Sequence, residues 1–573
     1  MSEEPVINLV LDQEEVVDLR ARANTLPWID LSPRSLCDLE LLAIGAFFPL
    51  DRFMGPADYH GVIEHSRLAD GTLFPMPITL PFANSNNVCP GQEIALRTAR
   101  HDVVAVLSVE DVFEWDWRHE AEKVYGTTDV RHPMVAEMCS CGTQCASGPI
   151  RLLNIPKRYD FTELRKTPGQ VRHELELLGN RNVLAFQPTG PIHRPQEEFL
   201  KSAAADLQAS VLVQPVAGLA RTGDIDHYTS VRSHKLLIDK YFDDCPAVLS
   251  LLPLFRRHAG PREALLSAVM LRNFGATHFI VGHDYAATVR STSGKPFYDA
   301  VAAQDLVAAN QMQSRVTMVP MPELVFLPDE KRYVQRHSVQ AGRSVCSISA
   351  EELNTQYLSS GKPLPEWFIR PEVAAILSRI SPPLYRRGFC VWFTGLSGAG
   401  KSTLAEVLVH QLMEHGRQVT LLDGDVVRTH LSKGLTFSKE DRDMNIRRIG
   451  FVASEIVRHH GSVICAAVSP YRVARNEVRN MVGTDRFIEV FVDTPLDVCE
   501  RRDTKGMYAK ARRGEIKGFT GINDPYEPPV DPEIRITTTN TTLEANAETI
   551  FAYLRGRGLL LEQDDHRNFD LQA

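Results

Sequence analysis

No apolar run in the chain approaches the roughly 20 residues that cross a bilayer as a helix, which excludes a membrane-spanning helix. A positive excess is also lacking: 63 Lys and Arg against 72 Asp and Glu leave a formal charge of -9. This argues against broad binding to nucleic acid or to an anionic membrane surface, and any anionic ligand must be held by a local cluster of Arg, Lys and backbone N–H groups. Cysteine is sparse, ten in 573 residues, too few for a disulfide framework and in keeping with a reducing compartment. The start, MSEEPVINLVLDQEEVVDL, is acidic and has no basic stretch followed by an apolar core, so no signal peptide is expected and a cytoplasmic location is. Internal repeats and low-complexity tracts are absent too. What is present is an ordinary globular composition, 43% hydrophobic and 24% charged, over a length that calls for three or four globular units.

The first 168 residues hold turn signals and short apolar runs, among them VVAVL at 103–107, and read as a β-rich domain. From 169 to 330 strands alternate with helices: NVLAF (182–186), ASVLVQPV (209–216), a helix from about Pro261 to Phe274, then THFIVG (277–282). That alternation predicts a parallel α/β sheet. Residues 331–385 read as a small third domain ending in a linker, Ser381-Pro382-Pro383 with Arg386-Arg387-Gly388 just beyond. A second parallel α/β domain is expected over 386–573. The fold class is α/β multidomain.

The second α/β domain opens with a short apolar run, FCVWFT at 389–394, that leads straight into Gly395-Leu396-Ser397-Gly398-Ala399-Gly400-Lys401-Ser402-Thr403. This is G-x-x-x-x-G-K-[ST] in the strand-then-helix setting that a phosphate loop requires. Glycines let successive N–H groups turn inward around phosphate oxygens, and the helix N-terminus adds its positive end. Lys401 would neutralise the β and γ phosphates of ATP, and the Ser402 hydroxyl would take a Mg²⁺ position. Leu404, Val407, Leu408 and Leu412 share a face of the helix that follows, and Gly416 ends it. The next strand, QVTLL (418–422), ends at Asp423-Gly424-Asp425, where a carboxylate can accept a hydroxyl proton or orient a metal. Beyond lie Arg428, Phe437, Arg442, Asn445, Arg447 and Arg448, basic groups alternating with an aromatic, which suit an anionic substrate with a purine ring.

The strings LDGDVVR…LTFSKEDRDMNIRR (422–448), VSPYR (468–472) and KGMYAKARRGEIKGFTGINDPYEPP (505–529) closely resemble adenylylsulfate kinase. The resemblance implies phosphorylation of adenylyl sulfate (APS) on its 3′-hydroxyl by Mg·ATP. It implies Asp425 as base, Arg428, Arg442, Asn445 and Ile446 around the phosphosulfate and ribose, and Phe437 and Phe519 enclosing the adenine. Lys517 falls in a lid segment, 505–529, which Gly506, Gly514, Gly518 and Gly521 would let move. Ser469 matches a serine sometimes regarded as phosphorylated; a hydrogen-bond role near the substrate is the plainer reading, because in-line transfer needs no enzyme nucleophile. Thr436 stands where that family usually has Gly.

Residues 20–385 resemble ATP sulfurylase through LCDLELLAIGAFFPLDRFM (36–54), GTTDVRHP (126–133), GDIDHYTSVR (223–232), AGPREA (259–264) and PEWFIRPEV (365–373). This implies a β-rich N-terminal domain, a Rossmann-like nucleotidyltransferase domain and a small third domain. The site pattern of that family, Q-x-R-N-P-x-H-x-x-H, appears here as QPTGPIHRPQ (187–196). Gln187 and His193 remain, whereas Thr189 replaces Arg, Gly190 replaces Asn and Gln196 replaces the second His. A second pattern, V-G-R-D-H-A-G-P-G, becomes VGHDYAATV (281–289), with His283 for Arg and Tyr285 for His. Arg257 and Arg262 match, and Arg194, Arg256 and His283 offer charge from shifted positions. Each lost donor typically costs about 10²–10³ in rate, so the expectation is a site without useful sulfurylase activity, the region acting as a scaffold. A working bifunctional enzyme and a regulatory ligand-binding module are the alternatives. The resemblance also implies a homo-oligomer, dimer or hexamer. Cys139, Cys141 and Cys145, with His132 nearby, have poor spacing for zinc and read as loop thiols.

Overall fold

The computed structural model describes residues 13–82, 88–129, 132–139, 141–217, 227–283, 285, 297–340, 342–349, 352–358, 362–380, 382–436, 438–483, 485–503, 506–516, 518–539 and 541–560. The chain forms two compact units, Met1–Ile348 with Leu364–Ile376, and Ser349–Pro363 with Leu377–Ala573. The stretch 331–385 thus contributes to both. Arg370 grips Glu197 through two hydrogen bonds of 3.0 and 2.7 Å in the first unit, while Arg387 Nη2 donates to Leu358 O in the second.

Among the described residues, the β-rich start of the first unit carries seven strands in two sheets. These are β1 (Trp28–Asp30), β2 (Leu80–Phe82), β3 (Glu93–Arg97), β4 (Val103–Ser108), β5 (Asp111–Glu114), β6 (Gln144–Ser147) and β7 (Ile150–Leu152). Helices Gln13–Ala23, Pro33–Ala43 and Pro56–His65 accompany them. The sequence reading did not include these helices. Pro33 and Pro56 each sit at the start of a helix, the position where a missing N–H costs nothing.

The α/β part of the first unit is a parallel five-stranded sheet, ordered β10-β9-β8-β11-β12. Its strands are β8 (Asn182–Phe186), β9 (Ala209–Val213), β10 (Ala247–Leu249), β11 (His278–Gly282) and β12 (Thr317–Met321). The near-continuous apolar character of β8 and β9 follows from burial on both faces. Helix Pro261–Asn273 covers one face, with Phe274 as its cap. An antiparallel pair follows, β13 (Leu324–Leu327) with β14 (Arg332–Gln335).

The second unit is a parallel sheet in the order β16-β17-β15-β18-β19, built from β15 (Cys390–Thr394), β16 (Val419–Asp423), β17 (Ser462–Ala466), β18 (Phe487–Val492) and β19 (Ile534–Ile536). Alternation along β15 makes two cores. Val391 and Phe393 meet Leu404, Leu408 and Leu412 of the P-loop helix Lys401–Glu414 on one face. Cys390 and Trp392 meet Ile446, Ile449 and Val478 on the other. Because β15, β16 and β17 pair in parallel, their carboxyl ends share one edge of the sheet, where the site lies. Among the described residues no helix is long and apolar enough to cross a membrane.

Candidate functional site

β15 ends at Thr394 and the chain turns at Gly395, whose φ is 148°. A Cβ there would lie 2.6 Å from Val492 O, so no other residue fits without moving β18. The carbonyls of the loop are held from outside. Tyr508 OH donates to Ser397 O at 2.9 Å, Arg502 Nη1 to Gly398 O at 3.3 Å, and the Thr494 and Thr538 hydroxyls to Ala399 O at 3.2 and 2.9 Å. With its carbonyls so engaged, the loop presents N–H groups and the start of the P-loop helix as an anion cradle. Lys401 Nζ donates to Gly395 O and Leu396 O at 3.0 and 2.8 Å, straddling the loop beside that cradle. Ser402 Oγ donates to Asp423 Oδ2 at 2.6 Å. The pair is a hard-oxygen set of the kind Mg²⁺ prefers. Thr403 follows in the helix. None of the outer partners, Thr494, Arg502, Tyr508 and Thr538, was legible as a site residue, because they lie in parts of the sequence with no phosphate-binding pattern.

Asp425 lies in helix Gly424–His430, directly after β16; its side chain, Phe437 and Lys517 lie outside the described residues. Helix Lys439–Arg458 starts at Ser438, whose side chain accepts from Asp441 N at 3.2 Å. Thr436 earns a structural role here: its N–H donates to Asp441 Oδ2 at 2.8 Å and its hydroxyl to the same oxygen. Those bonds hold the Asp441 carboxyl below its ordinary range, with the Arg428 charge adding to them. Arg442, Asn445 and Ile446 are all buried on this helix. Arg442 binds Thr520, Tyr471 and Asp524 through its Nη atoms, and its Nε and Asn445 Oδ1 are buried without a hydrogen-bond partner. Farther along, Arg447 pairs with Glu477, and Arg448 donates to Leu431 O.

Phe519 is buried and meets Tyr508 edge-on at 5.1 Å. Ser469 sits at φ 47°, and its hydroxyl accepts from Trp392 Nε1 at 3.0 Å with only 1% of the residue exposed. Arg475, unremarked in the sequence, reaches Ser469 O, Glu489 and Glu527 O at 2.5, 2.8 and 2.7 Å and ties this turn to the C-terminal end of segment 505–529. A cavity of about 640 Å³ opens between Leu396, the end of β18 with the turn after it (Phe491–Leu496), and Gly521–Tyr526 with Pro528.

In the first unit, the matched cations are already engaged. Arg257 is fully buried and binds both carboxylate oxygens of Asp38 at 2.6 and 2.7 Å. Arg262 donates to Val62 O and Ile63 O. Arg194 donates to Glu366 O and lies 3.8 Å from Glu198. His193 stacks on Phe368 at 4.4 Å, and burial lowers its pKa to about 4, so it is neutral at pH 7. Gln196 accepts from His193 N at 3.0 Å as a helix cap. Tyr285 OH lies 3.1 Å from Ser267 Oγ and donates to Gln187 Oε1 at 3.4 Å; burial pushes it up to about 12. His234, missed in the sequence, is fully buried and lies 3.0 Å from Gly190 O through Nε2. Thr189 and His283 are exposed. Cys145 is buried in β6, Cys141 Sγ donates to Glu137 O, and Cys139 is exposed. Among the described residues no group of three or more His, Cys, Asp or Glu is placed to hold a metal ion.

Three family models match the chain: a PUA-like domain over 2–155, ATP-sulfurylase over 162–380 and adenylylsulphate kinase over 387–537. Sulfate adenylyltransferase of Gibberella zeae is 41% identical over 551 residues, 95% of this chain and 96% of that protein. That of Aspergillus terreus is 42% identical over 550 residues, 94% and 95%. A solved structure described as a hexameric APS kinase from Thiobacillus denitrificans is 33% identical and superposes with a TM-score of 0.77, covering 97% of this chain and 98% of its own. The two α/β units, the phosphate loop between β15 and its helix, and these end-to-end matches agree: the chain belongs to the sulfate adenylyltransferase family, in its bifunctional ATP sulfurylase/APS kinase architecture.

Proposed function

We propose that the chain acts as an adenylylsulfate kinase, converting ATP and APS to ADP and 3′-phosphoadenylyl sulfate, and that its sulfurylase-like unit serves as a scaffold without sulfate adenylyltransferase activity. The observation that carries this reading is a contrast between the two sites. The P-loop holds Lys401 across an intact cradle beside the Ser402–Asp423 pair, whereas the cations retained in the first unit are bound to protein groups.

In the kinase reaction the 3′-oxygen of APS bonds to the γ-phosphorus as the bond to the bridging oxygen of ADP breaks. Asp425, at the carboxyl end of β16, takes the hydroxyl proton. Lys401 and the loop N–H groups stabilise charge on the transferring phosphoryl. Mg²⁺ arriving with ATP would be held by Ser402 and Asp423 and would neutralise phosphate charge. Arg442 and Asn445 present buried unpartnered atoms to the acceptor, and Phe519 supplies one wall of the adenine pocket. Arg428, Phe437, Lys517 and Ser469 complete the proposed acceptor set. The protein is proposed to be a cytoplasmic homo-oligomer, dimer or hexamer, for which the hexameric relative is the support.

ATP-dependent phosphorylation of APS should be measurable in the whole chain and should fall at least about 10²-fold in Lys401→Ala. Full activity in that variant would end the assignment. The second reading, with both activities working, is favoured by the names of the relatives from Gibberella zeae and Aspergillus terreus. Formation of ATP from APS and pyrophosphate separates the two.

A further inference from the structure

Asp524 belongs to none of the groups assigned above to catalysis or substrate contact, yet it closes two systems at once. Its Oδ2 accepts from Tyr471 OH at 2.6 Å and lies 2.8 Å from Arg442 Nη2. Arg442 completes the arrangement by donating to Thr520 Oγ1 and to Tyr471 OH, each at 2.7 Å. All five donors of a guanidinium lie in one rigid plane, so fixing both Nη groups fixes where Nε points. That Nε is the buried atom left without a partner.

The other end of the same residue sets a turn. Asp524 N donates to Phe519 O at 3.2 Å, Gly521 N to Asp524 O at 2.8 Å, and Phe519 N to Asn523 Oδ1 at 3.0 Å. The turn 519–524 is therefore closed on itself, and its first residue is the aromatic wall. Over Gly521–Asp524 it borders the 640 Å³ cavity, with Ile522 packed on the core below. The next segment is pinned separately, where Glu527 O accepts from Arg475.

We propose that Asp524 is a positioning residue for the acceptor: its carboxylate latches the Phe519 turn to Arg442, so that the cation and the aromatic wall of the acceptor site are set together. The inference rests on the acceptor-site reading of Arg442 and Phe519. The latch makes no bond to the donor loop: the P-loop carbonyls are held by Thr494, Arg502, Tyr508 and Thr538 and by no atom of Asp524.

The test uses the full chain with Asp524→Asn, which keeps the shape and removes the charge, and Asp524→Ala. In Asp524→Asn the KM for APS should rise about tenfold, the loss of roughly one charge-assisted bond, with kcat and the KM for ATP within about twofold. Asp524→Ala should raise the APS KM further and lower kcat. Without any substrate, trypsin should cut at Lys510, Arg512 or Arg513 several-fold faster in Asp524→Asn than in the parent. An unchanged APS KM overturns the proposal. So does an equal rise in both KM values with a lower melting temperature, which marks a purely structural residue. Were the parent chain inactive on APS, the kinase reading would fail by itself, and the protease rates, read without substrate, would still decide whether the latch exists.

Discussion

At the scale of single residues, the first unit shows how a histidine changes meaning with burial. His234 is fully buried, and burial lowers its pKa from 6.5 to about 4 against a smaller opposing effect of the Gly190 carbonyl. In the unfolded chain it would titrate near 6.5. Between those two values the unfolded state binds the proton and the folded state does not, so stability falls as the pH drops from about 6.5 toward 4. At full effect the difference is about 3 kcal/mol. His193 acts in the same direction. Calorimetry of the whole chain between pH 7 and 4 should show the first unit's transition falling through this window, and His234→Gln, which can still donate to Gly190 O, should flatten the fall. An identical slope in the variant would remove His234 as its cause. The sequence carried no sign of this residue, because a histidine inside a helix reads the same whether it faces a core or water.

At the scale of elements, the parts most legible in the sequence were those whose chemistry is local. FCVWFT read as a buried strand and the nine residues after it as a phosphate loop, because three glycines and a lysine at that spacing between strand and helix suit a phosphate cradle; β15 and the P-loop helix lie there. NVLAF and THFIVG became β8 and β11 for the same reason of continuous apolar character. Helices Pro33–Ala43 and Pro56–His65 were not legible, because the first is buried nearly all round, its Arg34, Ser35, Asp38 and Glu40 included, so polar residues do not mark a solvent face. Long-range partners were the other blind spot. Nothing near Asp38 announces Arg257, 219 residues away, and the spacing of Arg442 to Asp524 is equally silent. The phosphate loop gives a sharp test at this scale. Gly395→Ala places a methyl 2.6 Å from Val492 O at a φ of 148°, so the loop must shift off β18. ATP binding followed by titration calorimetry should weaken by about tenfold or more, the equivalent of at least about 1.4 kcal/mol, and kinase activity should fall with it. Wild-type affinity in Gly395→Ala would mean that the loop geometry is not what binds phosphate.

At the scale of the whole molecule, the proposed reading pairs an intact cradle with a sulfurylase site short of charge, and the two halves of that reading predict opposite outcomes in one sample. Adenylyl transfer must gather a sulfate dianion beside a triphosphate, so fixed positive charge is its main catalytic resource. The first unit has Thr189, Gly190 and Gln196 in one pattern and His283 and Tyr285 in the other where its family carries Arg, Asn and His. Its remaining Arg257 is neutralised by Asp38, its Arg262 is spent on backbone carbonyls, and its His193 is uncharged at neutral pH. The losses lie in two separated stretches, so replacing one cannot rebuild the site. Thr189→Arg restores a single donor, worth about 10²–10³ in rate, against at least four that are absent. Incubated with APS and pyrophosphate, both the parent chain and Thr189→Arg should form no ATP above background, while each phosphorylates APS at rates within about twofold of the other. ATP formation by the parent at a rate comparable to its kinase turnover would show that Arg194, Arg256 and His283 supply the missing charge, and the chain would then be a working enzyme at both ends.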